Sequence, residues 1–327
     1  MTFPVHRSDE ATARERGEAF GRAMATQVQH TAAVYRRMFA ETGAPVPESL
    51  PPHEEIDAIA RGASVDPHDL RAVNARTEIL AGAAECSVIG AGGLLAQNWD
   101  WHPDLSQSTV VWIVESGDRW LATVTEAGML AKIGLNQAGL GVCLNILRSS
   151  EDGGVTGTPI HHLLRDVLAT CTTVDEAVGL LTGATVSASS AVTVATPGSV
   201  AHVELSPGGA NVIRGAVGAH TNHFLEPPRA GTDVMVLHSP TTRQRLEVVK
   251  TQPLLDALRS HDGHPKGVCR HVDPDEPWVD QTVTVASVVM NLEALRLHVA
   301  DGPPCTHEHL QVTLPTSSAA LASTAAR

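Results

Sequence analysis

Glu85-Cys86-Ser87-Val88-Ile89 runs into Gly90-Ala91-Gly92-Gly93 and returns as Leu94-Leu95-Ala96-Gln97-Asn98-Trp99-Asp100-Trp101. A cysteine opens a short apolar strand, a glycine-rich turn reverses the chain, and a second strand carries an Asn-Trp-Asp-Trp run back toward the cysteine. A hairpin of that length puts Asp100 within reach of Cys86 and makes Cys86 a candidate nucleophile. A cysteine in an apolar strand is otherwise a small buried hydrophobe. This one differs by position, since it stands where a helical leader, residues 1–85, meets a β-rich body, residues 86–327. That position suits a cysteine that becomes a new N-terminus after self-cleavage between Glu85 and Cys86. The freed α-amine, with a pKa of about 8, would deprotonate its own thiol, and no distant histidine would be needed.

Upstream of the hairpin, residues 11–40 are expected to form one long helix, with Phe20, Met24, Val28, Val34 and Met38 at helical spacing. Gly17 and Gly21 share a face of it and allow close packing. Pro51-Pro52 open a second helix through about Ala63. Asp66-Pro67-His68-Asp69 starts a third, with Asp66 as N-cap and Pro67 in the first helical position, and this helix carries Asn74-Ala75-Arg76-Thr77-Glu78-Ile79-Leu80.

Downstream the period changes to two. Strands are expected at 86–90, 94–101, 109–115, 119–125, 129–134 and 139–146, as an antiparallel meander. A helix from Thr158-Pro159 to about Ala169 follows, then one opened by the capping box Thr173-Val174-Asp175-Glu176 and ended by Gly183. A second β block covers 189–196, 200–206, 209–214 and 217–221. A helical region runs from Ser239-Pro240 to about Ser260 with a break near Pro253, strands at 282–291 and 294–299 close the fold, and the small-residue tail from Pro315 frays. Helical leader, β block, helix pair, β block, helices and β pair together describe an α+β protein, an αββα sandwich with two sheets inside and helices outside.

The formal charge of −13 argues against nucleic acid or an anionic membrane as the main partner. The N-terminal residues contain no apolar signal segment, and no 18-residue apolar run exists. Cys86, Cys143, Cys171, Cys269 and Cys305 are widely spaced with no CxxC pair, which suits a reduced cytoplasmic protein without a disulfide framework.

Four further residues could serve Cys86. Asp100 would orient the new amine and stabilise its charged form, or else cap a turn. Asn145, at the end of Gly139-Leu140-Gly141-Val142-Cys143-Leu144-Asn145, and Asn222, in Ala219-His220-Thr221-Asn222-His223, each place an amide at a strand end. There it can donate to an oxyanion or cap a turn. Arg270, in Val268-Cys269-Arg270-His271, could grip a substrate carboxylate bidentately or sit in a structural ion pair. The histidine pairs at 161/162, 220/223 and 307/309 give neither HExxH nor a Cys/His finger spacing, so no catalytic metal is expected. Gly90-Ala91-Gly92-Gly93 precedes a strand and lacks the lysine of a phosphate loop, so it is a hairpin turn.

These residues, in order and spacing, resemble the penicillin-acyltransferase-like branch of the N-terminal nucleophile (Ntn) hydrolases. The resemblance runs from about residue 15 to about 305. It rests on Arg16-Gly17 through Gly21, Asn74-Ala75-Arg76-Thr77-Glu78-Ile79, Glu85-Cys86, Gln97-Asn98-Trp99-Asp100, Gly134-Leu135-Asn136, Gly139-Leu140, Thr221-Asn222-His223 and Cys269-Arg270-His271. It implies an αββα fold and a zymogen that cuts itself before Cys86, leaving leader and catalytic chains together as a heterodimer. It also implies acyl transfer or amide hydrolysis through a Cys86 thioester, on a small amide or acyl thioester. No cofactor is implied, and acyl-coenzyme A would enter as a substrate. Asp100, Asn222 and Arg270 match the family's polar site positions, and Asn145 is placed by likeness to the wider bile-salt-hydrolase group. Two departures stand out: Val88 where Thr or Ser is common two residues after the nucleophile, and Ala191-Val192 where a polar Asn is common. The alternative is an unprocessed, weakly active or non-catalytic relative that keeps the fold as a binding or scaffold protein.

Overall fold

A computed structural model describes residues 3–80 and 85–316. The leader is not wholly helical. It opens with β1 (Val5–Ser8), which pairs parallel with a body strand, and continues as α1 (Ala13–Ala23), α2 (Ala25–Thr42), α3 (Glu54–Ala63), α4 (Pro67–Asn74) and α5 (Arg76–Ile79). The expected long helix is two helices, because Met24 leaves helical geometry and serves as C-cap of one and N-cap of the next. The Asp66 cap forms as read, its carboxylate accepting from His68 N at 2.9 Å. Gly17 and Gly21 lie where α1 crosses α3, and a Cβ on either would strike the carbonyl of Glu55 or Ile59.

The body contains β2 (Glu85–Ala91), β3 (Leu94–Trp101), β4 (Thr109–Ser116), β5 (Arg119–Glu126), β6 (Ile133–Asn136), β7 (Gly141–Ile146), α6 (Ile160–Thr170) and α7 (Val174–Gly183). It goes on with β8 (Ser190–Thr196), β9 (Ser199–Ser206), β10 (Gly209–Gly215), β11 (Val217–His220), α8 (Thr242–Thr251), α9 (Leu254–Arg259), β12 (Val283–Asn291), β13 (Arg296–Ala300) and β14 (Leu310–Val312). Thr173 caps α7 through the full capping box. The first β block is not one meander. β2 and β3 belong to a six-stranded sheet in the order β11-β2-β3-β12-β13-β14, whereas β4 to β7 continue into β8, β9 and β10 in an eight-stranded sheet that begins with β1. The chain changes sheets through the 3-10 turn at Pro103–Ser108, which repeats no strand period.

The strand expected at 129–134 starts later. Gly128, at φ +100°, turns the chain, and the Asn74 side chain holds the turn by donating to Gly128 O (2.8 Å) and accepting from Leu130 N (3.0 Å). Helices cover the outer faces. Phe20 of α1 and Arg165 of α6 both lie on Trp112 of β4, at 4.2 and 4.6 Å, and Asn98 of β3 donates outward to Leu258 O on α9. Leu95, Trp99, Val142, Leu144, Val192 and Val288 are fully or almost fully buried. No helix among the described residues is long and apolar enough to cross a membrane.

Gly21→Ala tests the leader's packing. The collision should cost about 1–3 kcal/mol, against the ~1 kcal/mol that alanine gains in helix propensity. The expected result in calorimetry is a lower melting temperature, and an unchanged one would show that α1 and α3 separate freely.

Candidate active site

The hairpin register decides which side chains meet. Cys86 stands opposite Trp99, Ser87 opposite Asn98 and Glu85 opposite Asp100. Directly opposed residues share a face, so Cys86, Val88, Gln97 and Trp99 look toward the other sheet, where Gln97 donates to Leu144 O on β7 at 2.6 Å. Ser87 and Asn98 look toward α8 and α9.

On its other side β2 is paired only from Val88 to Ala91, because β11 ends at His220. Among the described residues no strand flanks the backbone of Cys86 there, and side chains take its place. Cys86 N donates to Asn222 Oδ1 at 2.8 Å. Cys86 O accepts from Asn145 Nδ2 and from Arg245 Nη1, each at 3.0 Å. Arg245, on α8 and fully buried, also donates to Ser87 Oγ (2.9 Å), Asn222 Oδ1 (3.0 Å) and Ser239 Oγ (3.0 Å). Asn222 Nδ2 in turn donates to Ile146 O at 2.9 Å. Asn145 and Asn222, read from the sequence as oxyanion donors, thus lie on the carbonyl and the amide of Cys86 itself.

Asp100 is fully buried and accepts from Thr284 Oγ1 at 2.7 Å, and the same hydroxyl accepts from Arg270 N at 2.9 Å. Arg270, almost wholly buried, donates to Thr282 Oγ1 at 2.9 Å. The structure therefore joins Asp100 to Arg270 through Thr284, and Cys86 to Asn145, Asn222 and Arg245. Arg270 lines a cavity of about 550 Å³ together with Leu80, Trp101, His102 and Lys266. Met38 and Thr42 of the leader complete part of its wall.

A second buried group lies on the thiol's inner side. Lys132 Nζ sits 3.8 Å over the Trp99 ring and 3.6 Å from Glu126 Oε1. Arg76 from the leader is 3.9 Å from the same oxygen and 4.5 Å over Trp101. Tyr35, also from the leader, donates to Glu126 at 2.8 Å and accepts from Trp101 Nε1 at 2.9 Å. Burial pushes the Cys86 thiol up, opposed first by the charge of Lys132. Burial and the neighbouring Arg76 pull Lys132 down to about 7, against the pull of Glu126 and the thiol. Burial works against the Glu126 charge, yet Lys132 and Arg76 together hold it below the usual carboxylate range. Near neutrality this lysine and this thiol each affect whether the other carries charge.

Sequence reading missed Lys132, Glu126 and Arg245. A signal existed for Lys132, which is one of three lysines in the chain and interrupts the apolar run Met129-Leu130-Ala131 and Ile133. A lysine in such a run is buried with partners or is not buried at all. Arg245, in Thr242-Arg243-Gln244-Arg245-Leu246, looks like any solvent-facing helical arginine.

Taken together, the structure is a two-sheet αββα sandwich with a cysteine held at the head of an inner strand. Residues 89–262 match the family model described as acyl-coenzyme A:6-aminopenicillanic acid acyl-transferase, more than half of the chain, and the chain belongs to that family. Cys86 lies just before that span and Arg270 beyond it. One curated relative is the 40 kDa form of the acyl-coenzyme A:6-aminopenicillanic-acid acyltransferase of Emericella nidulans. It is 33% identical over 125 residues, which are 36% of this chain and 35% of the relative. The alignment thus spans about a third of that relative's length. Among solved structures, penicillin V acylase from Agrobacterium tumefaciens aligns with a TM-score of 0.45 at 17% identity, over 69% of this chain and 85% of that one. A variant of the conjugated bile acid hydrolase from Clostridium perfringens aligns at 0.47 and 14%, over 69% and 92%.

Glu78 offers a test of the junction between leader and body. It lines a small cavity of about 170 Å³ with Leu80, Ile146 and Asp152, and burial pushes its carboxyl up from 4.5 to about 7. Oε1 accepts from Ile160 N at 2.9 Å, while Oε2 has no hydrogen-bond partner among the described residues. Between the unfolded value of about 4.3 and the folded value of about 7, the folded protein keeps a proton that the unfolded chain has released. Stability is then lost as pH rises through that window. Glu78→Gln removes this titration, so its melting temperature relative to wild type should climb from about pH 5 to about pH 8. A difference independent of pH would show that Glu78 stays ionised.

Proposed function

We propose that this protein is a self-processing cysteine acyltransferase or amidohydrolase whose nucleophile is Cys86. The observation that carries the reading is the grip on Cys86, with its amide on Asn222 Oδ1 and its carbonyl between Asn145 and Arg245. Buried main-chain groups need partners wherever they occur, but here the partners are side chains from three elements that meet at one cysteine. Such a grip suits a nucleophile that must attack the preceding carbonyl and later use its own amine.

In processing, the Cys86 thiol attacks the Glu85 carbonyl carbon and the peptide C–N bond breaks. Glu85 is left as a thioester on Cys86 Sγ while the amine takes up a proton. Water then cleaves that thioester and releases the leader's carboxylate. Leader and body stay together, since Tyr35 and Arg76 remain bound to Glu126 and Trp101. In turnover, the α-amine held on Asn222 accepts the thiol proton and the thiolate attacks the substrate's acyl carbon. The departing amine or thiol takes the proton from the ammonium. Water or an acceptor amine then resolves the acyl-enzyme. Asp100 stands across the strand pair from residue 85 and supports the charged amine. Lys132 supports the thiolate and so offsets the burial that disfavours it.

The cavity beside Arg270 is the substrate site in this reading. Its volume falls in the range usual for small-molecule pockets, and its lining combines the apolar Met38, Leu80 and Trp101 with Arg270, Asp280 and the ion pair of Lys266 with Glu276 at 2.7 Å. That chemistry fits a small acyl amide or acyl thioester with an apolar acyl group and a polar remainder. Acyl-coenzyme A and 6-aminopenicillanic acid, the compounds in the relatives' names, are the first to assay.

Intact mass separates this reading from the scaffold alternative. Wild type should yield two fragments divided before Cys86 and should turn over amide or thioester substrates, whereas Cys86→Ala should yield one chain and no turnover. An uncut, inactive wild type would overturn the proposal. Lys132→Met tests the electrostatics. Without the opposing charge, the pH at which iodoacetamide alkylates Cys86 should move upward. Turnover should fall by roughly a hundredfold, the scale of one electrostatic donor. An unmoved alkylation profile would remove Lys132 from the mechanism.

A further inference from the structure

Four potential ligands converge away from the nucleophile's strand. His261 lies just beyond α9, Cys269 and His271 flank Arg270, and Cys305 comes from the segment between β13 and β14. Their ligating atoms all lie within 4.8 Å of one another. His271 Nε2 is 3.2 Å from His261 Nε2, 3.3 Å from Cys305 Sγ and 4.0 Å from Cys269 Sγ. Hydrogen bonds hold the three segments in place, with Cys269 N donating to Ser260 O at 2.9 Å and the Arg259 side chain, through Nε, to Pro304 O at 3.2 Å.

We propose that His261, Cys269, His271 and Cys305 form a structural zinc site. Zinc bound tetrahedrally by two thiolates and two imidazoles, with its ordinary bond lengths, sets the ligand atoms roughly 3.3–3.8 Å apart. The contacts around His271 Nε2 bracket that range. Two thiolates and two neutral imidazoles balance a dication, and a mixed sulfur and nitrogen set in tetrahedral array selects zinc over the harder divalent ions. All four positions come from the chain, as in a closed structural site, so the ion takes no part in acyl transfer. Its effect is mechanical. It ties the end of α9 and the C-terminal segment to the two residues on either side of Arg270, which lines the cavity and meets Asp100 through Thr284. The sequence hides the site because its spacing, 261, 269, 271 and 305, follows no finger pattern.

The test is metal content of the full chain, expressed without an affinity tag and dialysed against dilute chelator, measured by mass spectrometry of the elements. Wild type should hold about one zinc per chain, and Cys305→Ser and His261→Ala each well under half. Both variants should keep the wild-type circular dichroism, which shows that the metal was lost without loss of fold. Cobalt(II) put in place of zinc should give the intense visible bands of a tetrahedral thiolate complex. Three results would overturn the proposal. One is less than about a tenth of a zinc per chain in wild type even after reconstitution with zinc. Another is full zinc in Cys269→Ser and Cys305→Ser alike. The third is an intact mass two hydrogens light, which would mark a Cys269–Cys305 disulfide instead.

Discussion

The main chain of Cys86 is held at both its amide and its carbonyl by side chains rather than by a strand, and the rest of the site is arranged around that fact. An edge left open by a short neighbour must find other partners for its buried backbone groups. Here the pairing with β11 stops at Val88, two residues short of the cysteine, and Asn222, Asn145 and Arg245 fill the gap from three different elements. Arg245 is the joint between them. Its guanidinium reaches β2 at Cys86 and Ser87, the turn after β11 at Asn222, and Ser239 ahead of its own helix. A buried cation shared among that many oxygens cannot be trimmed in part, because each acceptor it leaves behind carries its own desolvation cost. The network is therefore an all-or-none support for one residue's position.

The thiol sits between two opposing influences. Burial disfavours its charged form, and Lys132 favours it. Lys132 is itself poorly solvated and crowded by Arg76, while Glu126 and the thiol favour its charge. Glu126 is the pivot of this group, since it takes a hydrogen bond from Tyr35 and lies beside both cations. Tyr35 and Arg76 belong to the leader. The leader is thus more than a cap over the body. It supplies one of the two cations on Glu126 and part of the wall of the large cavity, so its removal would alter the electrostatics felt by Cys86 as well as the cavity's shape.

Local signals in the sequence were faithful where local chemistry decides the outcome. The hairpin at Cys86, the Asp66 cap and the Thr173 capping box all stand as read, because each is settled by residues a few positions apart. What depends on distant partners was not legible. β1 is a short strand that exists through its pairing with β4. The late start of β6 depends on Asn74, more than fifty residues away, holding the Gly128 turn. The division of the strands between two sheets is likewise invisible to periodicity, which reports that a strand has a buried face without saying what covers it. Among the site residues, Asp100 and Asn222 stand out because polar side chains at strand ends are conspicuous, whereas Arg245 on an ordinary helix is not.

The C-terminal third does for Asp100 what α8 does for Cys86. Thr284, on β12 opposite Asp100, accepts from Arg270 N and donates to the carboxylate, while its own amide donates back to Arg270 O at 3.1 Å. Two main-chain contacts with Thr284 and a side-chain contact with Thr282 thus fix Arg270 beside the inner hairpin. The residues on either side of it turn toward His261 and Cys305. Any movement of the loop after α9, or of the segment beyond β13, would therefore be transmitted through Arg270 to the aspartate facing the head of β2. Arginine on such a rigid stretch loses little freedom when it meets a carboxylate, which is the condition under which its planar fork binds best.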